Sequence, residues 1–178
     1  IGEEDYAGAI NMIRKDNPLP TACAMICEHP CEQRCRRNLI DDSINSRGLK
    51  KYAVDQIAAD KVAVPKANKS TGKKVAVIGG GPAGMTAAYF LGLMGHKVTI
   101  FERQKALGGM LRYGIPNYRF PKDRLDEDIR AILSAGDIEV KYEAKIGTEI
   151  PIEEIHKEYD AMFVAIGAQA GKRLRLEG

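Results

Sequence analysis

Four cysteines recur at every fourth position near the start of the chain, Cys23, Cys27, Cys31 and Cys35, and they are its only cysteines. Thiols that merely fill a core have no reason to keep a fixed interval, whereas the ligands of a metal centre must converge. A second run, Gly79-Gly80-Gly81-Pro82-Ala83-Gly84, satisfies G-x-G-x-x-G between a predicted strand and a predicted helix. In such a run Gly79 permits the tight turn, Gly81 lets backbone approach a pyrophosphate, and Gly84 lets helix and strand pack closely. Free N–H groups and the dipole at the helix start favour phosphate charge there. Glu102, at the end of the next predicted strand, is placed to accept hydrogen bonds from ribose hydroxyls. A metal centre beside a nucleotide site implies electron transfer.

The cysteine spacing leaves the metal open. All four thiols fall in so short a segment that disulfides would not staple the rest of the chain, which favours metal ligation in a reducing, cytoplasmic setting. A four-residue interval matches successive helical turns, yet a straight helix would set the end cysteines about 18 Å apart, too far to share one centre. Pro30 can break the segment, so either the chain wraps one centre or the ligands divide between two. Structural zinc and an iron–sulfur cluster are both compatible with the spacing. Arg34, Arg36 and Arg37 could offset a thiolate-rich anion or form a solvated face, and His29 is a weak candidate ligand beside four thiols. His96 and His156 have no partner motif and read as structural or exposed.

The elements that must position these residues follow from periodicity. Helices are predicted over 3–15, 46–60, 82–95, 121–136 and 151–157, and strands over 73–78, 97–101, 138–142 and 161–166. The first helix places Tyr6, Ala9, Ile10 and Ile13 on one stripe, the second sets Leu49, Ala53 and Ile57 at helical spacing, and helix 121–136 turns Leu125, Ile129, Ile132 and Leu133 inward. Asn17-Pro18-Leu19-Pro20 stops the first helix. Strands alternating with helices indicate an α/β fold with a parallel sheet. The division expected is a helical, cysteine-rich domain at 1–60, a polar linker at 61–72, and a dinucleotide-binding Rossmann-like domain at 73–178.

Flavin is favoured over nicotinamide by three features. Pro82 and Ala83 occupy the variable fingerprint positions. Glu102 and Arg103 lead to a second glycine pair in Leu107-Gly108-Gly109-Met110. The stretch from Tyr159 to Ala168 runs a strand into a glycine turn.

These segments together resemble one family. Asn17-Pro18-Leu19-Pro20, the four cysteines, Ile44-Asn45-Ser46-Arg47-Gly48-Leu49-Lys50, the glycine fingerprint and Tyr113-Gly114-Ile115-Pro116 look like the small subunit of bacterial glutamate synthase. They are similar also to the amino-terminal half of dihydropyrimidine dehydrogenase and to the large subunit of bifurcating NADH-dependent ferredoxin:NADP oxidoreductase. The resemblance implies a small all-α iron–sulfur domain followed by a partial FAD-binding domain. Electrons would move between NAD(P)H, FAD and [4Fe–4S] clusters and on to an acceptor subunit or domain. It assigns Cys23, Cys27, Cys31 and Cys35 to the metal. It assigns Gly79, Gly81, Pro82, Ala83 and Gly84 to the flavin pyrophosphate, and Glu102 and Arg103 to adenosine. The rest of the flavin's path falls on Gly108, Gly109 and Met110, with further contacts at Arg119 and Ile146. No residue is assigned as a catalytic acid or base.

The chain departs from the family pattern. No cysteine precedes Cys23, where relatives carry an upstream group that shares two clusters with the downstream one. Lys50 stands where some relatives supply a further ligand. The NAD(P)H domain and closing FAD segment of relatives are expected outside these residues, so the chain reads as an excised piece of an FAD-dependent NAD(P)H oxidoreductase, inactive alone. The competing reading is a zinc-stabilised interaction module on a cofactor-free α/β scaffold; a third is a folded piece that binds nothing. A net charge of +3 with scattered basic residues argues against a nucleic-acid surface. No apolar run approaches the roughly 20 residues that span a membrane, and no signal peptide opens the chain. Homo- and hetero-oligomers both remain open.

Overall fold

The structure, a computed structural model, describes residues 1–67 and 69–168; the last ten residues of the expected second domain lie outside them. Two apolar pentapeptides form its centre. Strands β1 (Lys74–Ile78) and β2 (Lys97–Phe101) are each buried at every position after the leading lysine. Such continuous burial is what a parallel strand covered on both faces requires. They pair in register, Val75 opposite Val98, with β3 (Ile138–Lys141) beyond β2 and β4 (Ala161–Val164) beyond β1. The order β3-β2-β1-β4, all parallel, makes the chain reverse direction of growth next to β1. The carboxyl end of β1 at that reversal is where open α/β sheets bind ligands.

One face of the sheet is covered by α5 (Pro82–Leu93) and α7 (Lys122–Leu133). Val77, Val98 and Ile100 meet Met85, Phe120, Leu125 and Ile132 there, each large side chain contributing about 1.5–3 kcal/mol by burial. The other face carries Ala76, Ile78 and Phe101 against Ile155 of α8 (Ile152–Glu158). Between β2 and α7 lies a four-residue helix, α6 (Met110–Tyr113), that periodicity alone did not reveal.

The amino-terminal part is helical. Helix α1 (Tyr6–Arg14) is capped by Asp5, whose carboxylate accepts from Gly8 N. Proline opens both α2 (Pro20–Ile26) and α3 (Pro30–Gln33), the position where its missing N–H costs nothing. A 3₁₀ turn (Arg36–Leu39) follows, then α4 (Ser46–Gln56), capped by Asn45. Expected helix 46–60 stops early because Ile57 and Ala58 are extended before a second 3₁₀ turn, Ala59–Lys61. Leu49 does not join the buried stripe of α4. It is 47% exposed, and Ala53 and Val54 turn inward instead. Residues of α2 enter the sheet's own core, Leu19 and Ala22 packing with the Phe120 and Leu125 layer.

Candidate nucleotide site and cysteine cluster

The glycine run sits at the carboxyl end of β1, as its spacing required. Gly79 has φ +105 and donates to Phe101 O at 2.8 Å, closing the turn between the central strands. Gly84 has no room for a side chain: a Cβ there would lie 1.8 Å from Gly79 O. Gly81 is different. Its backbone is ordinary extended chain (φ −78, ψ −176), and an added Cβ would meet only Gly109 Cα at 3.8 Å. Gly81 is the N-cap of α5, with no side chain capping the helix. The first-turn amides of Ala83 and Gly84 are therefore left for an anion.

Glu102 is 6% exposed and folded into the same turn. Its two carboxylate oxygens accept from Gly80 N and Gln104 N, each at 2.8 Å, so the carboxylate expected to meet ribose also braces the glycine loop. The second glycine pair lies over the first. Gly108 N donates to Gly80 O at 2.9 Å, and a Cβ on Gly109 (φ +50) would stand 2.8 Å from Gly81 Cα. Arg103 is exposed beside this turn, and Met110 is 69% exposed just beyond it. Arg119 Nη2 lies 3.5 Å from Glu28 in the cysteine segment. Ile146 packs beside Ile150 and Ile155, on the sheet face opposite α5.

Sequence reasoning missed the residues that hold the second glycine pair. Lys122 Nζ donates to three carbonyls, of Leu111 at 2.8 Å, Ile115 at 2.6 Å and Phe120 at 3.1 Å. Arg112 donates to Leu107 O at 2.5 Å and pairs with Asp126. Tyr113 Oη bonds Ala106 at both its N–H and its C=O. All but the Arg112–Asp126 pair end on bare backbone, and nothing in the local pattern marks them.

The cysteine segment bends twice. Helix α2 ends at Cys27, which is extended; His29 is left-handed (φ 44); α3 then restarts at Pro30. The bend removes the straight-helix geometry and separates Cys23 and Cys27 from Cys31 and Cys35. All four are unpaired thiols. Hydrogen-bond donors surround three of them. Lys50 Nζ lies 3.7 Å from Cys23 Sγ, and His29 N donates to Cys27 Sγ at 3.3 Å. Amides of Ile44, then Arg37 and Asn38, hold the Cys35 thiol below its ordinary range, while burial pushes Cys23 up against the opposing pull of Lys50. Thiolates ringed by N–H donors are what iron–sulfur ligation uses, so the donor set fits in kind. Among the described residues no three His, Cys, Asp or Glu side chains are gathered closely enough to hold one ion. Of the histidines near these segments, His29 Nδ1 lies 3.4 Å from Glu32 Oε2, and His96 Nδ1 is 2.7 Å from Thr71 Oγ1.

A cysteine-bearing helical unit ahead of a parallel nucleotide-type sheet defines a class, and comparison with known proteins finds a family match within each part. Residues 1–62 match the family described as dihydropyrimidine dehydrogenase domain II, 4Fe-4S cluster. Residues 77–137 match the NAD(P)-binding Rossmann-like domain. The chain is similar to glutamate synthase small chains and dihydropyrimidine dehydrogenase subunits. It is 41% identical over its whole length to the NADPH-Fe(3+) oxidoreductase subunit beta of Geobacter sulfurreducens, spanning 27% of that protein. It is 33% identical to the glutamate synthase [NADPH] small chain of Bacillus subtilis over 96% of the chain and 34% of the relative. Against the dihydropyrimidine dehydrogenase subunit PreT of Salmonella typhimurium the identity is 34%, over 97% and 42% respectively. The chain thus spans between about a quarter and two-fifths of these curated relatives. Among solved structures, Mycobacterium tuberculosis FprA in complex with NADPH shares the fold, with TM-score 0.53 and 20% identity over 60% of this chain and 25% of that one. No helix among the described residues is long and apolar enough to cross a membrane.

Proposed function

We propose that the chain is the electron-transfer module of an FAD-dependent, NAD(P)H-linked iron–sulfur oxidoreductase, delivering electrons to a partner subunit or domain. One observation carries the reading. The uncapped start of α5, free of side chains at Gly81, lies in the same folded core as α2, which bears Cys23. When bound, FAD would supply two-electron and an iron–sulfur cluster one-electron redox chemistry. The protein's own part is to seat and separate. Ala83 and Gly84 amides would meet the pyrophosphate, Glu102 and Arg103 the adenosine, and Gly108, Gly109 and Met110 the chain toward the flavin ring. Arg119 and Ile146 are assigned to flavin only through relatives, and their placement gives them less direct support. Cys23, Cys27, Cys31 and Cys35 would ligate iron. The division into residues 1–60, 61–72 and 73–178 belongs to this reading, as does a cytoplasmic location suited to four free thiols. The relatives carry names of subunits and chains, which supports a partner without identifying it.

Anaerobic reconstitution of the intact protein tests the proposal. Bound iron and sulfide with broad visible absorbance, and flavin fluorescence released on denaturation, are the expected results. Colourless protein holding stoichiometric zinc would replace the cluster with a structural metal, and release of NAD instead of FAD would overturn the cofactor.

A further inference from the structure

Helix α2 starts without a cap of its own: Leu19 occupies the N-cap position, and no side chain from the helix's own neighbourhood bonds its first turn. The missing acceptor comes from the other unit, more than one hundred residues away. Asp128 of α7, 0% exposed, accepts from Thr21 N at 3.2 Å and Ala22 N at 2.9 Å, one bond to each oxygen. These are first-turn amides with no intrahelical partner, and an aspartate oxygen is among the best acceptors for them. The rest of α7 repeats the device. Glu127 accepts from Ala59 N at the start of a 3₁₀ turn, and Arg124 donates to Val54 O in the last turn of α4. Acid meets a helix start and base meets a helix end, as the helix dipole favours. Arg130 adds an exposed pair with Asp60.

We propose that Asp128 is a positioning residue that holds the cysteine-bearing helix α2 at a fixed distance from the glycine turn, and so sets the rate of electron passage between flavin and iron. The inference rests on the electron-transfer reading above and adds to it the residue that fixes the geometry. Cys23 directly follows the two amides that Asp128 grips, so any shift of that grip moves a ligand. The electron step balances simply: each electron leaving reduced flavin reduces one ferric ion, with no bond made or broken by Asp128.

The test uses the intact protein loaded with iron, sulfide and flavin, comparing wild type with Asp128→Asn, Asp128→Glu and, as a control on the same helix, Arg130→Ala. Stopped flow with NAD(P)H separates bleaching of flavin from the later reduction of iron. Asp128→Asn and Asp128→Glu are expected to keep cofactor content, midpoint potentials and the flavin-reduction rate. They should slow the flavin-to-iron step roughly tenfold or more, the order expected of ångström-scale misplacement. Amide exchange at Thr21 and Ala22 should accelerate roughly 5- to 150-fold in Asp128→Asn, from the loss of a charged buried acceptor. Arg130→Ala should change neither. An unaltered flavin-to-iron rate in the loaded Asp128 variants overturns the inference. So does exchange at Thr21 and Ala22 in wild type as fast as in exposed loops, a measurement that needs no variant to fold. Absence of iron, or of any flavin-to-iron step in wild type, instead sinks the functional reading beneath it.

Discussion

Gly81→Ala separates a glycine kept for a ligand from a glycine kept for the fold. The backbone at Gly81 lies in a region open to every residue, and an added methyl would touch only Gly109 Cα at 3.8 Å. The free protein therefore has no steric need for glycine there. Alanine restricts the unfolded chain but is a poorer N-cap than glycine, two opposed effects of about 1 kcal/mol each, so stability should hold within about 1 kcal/mol. The melting temperature should accordingly move by no more than about 4 °C. Binding is another matter. The methyl would occupy the space through which a pyrophosphate reaches the α5 amides, and losing one charged hydrogen bond costs about 1.5–3 kcal/mol. That corresponds to flavin binding weaker by about 10- to 150-fold. Flavin titration followed by fluorescence, alongside a thermal melt, reads both quantities on one sample. Unchanged affinity would mean the glycine run does not seat the nucleotide. Destabilisation beyond about 2 kcal/mol would mean the open space at Gly81 has been misjudged.

Gly84→Ala should behave in the opposite way: its Cβ would overlap Gly79 O, so a stability loss at or above the 1–3 kcal/mol typical of overpacking is expected in chemical denaturation; a variant as stable as wild type would contradict the close strand–helix approach. Arg14, 2% exposed, donates to the carbonyls of Val62, at 3.0 Å, and Ala59. Arg14→Met would take from Val62 O its donor and leave Ala59 O with only the Val62 N–H, lowering stability by about 1–3 kcal/mol, and a loss under about 0.5 kcal/mol in urea denaturation would show the contacts to be idle. Burial raises the Asp128 carboxyl to about 6, against the opposing pull of the α2 amides and the Arg14 charge. A raised carboxyl pKa contributes stability that is fully present below about pH 4 and lost as pH rises through about 6, here up to about 3 kcal/mol. The stability of wild type relative to Asp128→Asn should fall by that order across the interval, and a flat difference would refute the burial argument.

The glycine turn was legible because its constraints are local. Gly79 must adopt a positive φ and Gly84 must admit a neighbouring carbonyl, so residue type alone reports the geometry. The stripe Leu125, Ile129 and Ile132 was readable for the same reason, since helical period and apolar type coincide. Leu49 misled because the buried side of α4 is set by α1 and α2, against which it packs, rather than by its own composition. Asp128 and Arg14 could not be found at all. A charged residue in a helix reads as solvated unless its distant partner is known, and their partners are backbone atoms of segments 45 to 107 residues away.

What the amino acids determined unaided is therefore the chemistry on offer: four thiols at fixed spacing, a glycine-rich turn at a helix start, and strands apolar enough to be covered on both faces. Tertiary structure alone decided how those offerings are placed. It bent the cysteine segment at His29, folded Glu102 into the glycine loop, and joined α2 to α7 through Asp128. Short-range backbone preference is written in neighbouring residues, whereas a buried charge finds its partner only after the chain has brought remote helix ends together.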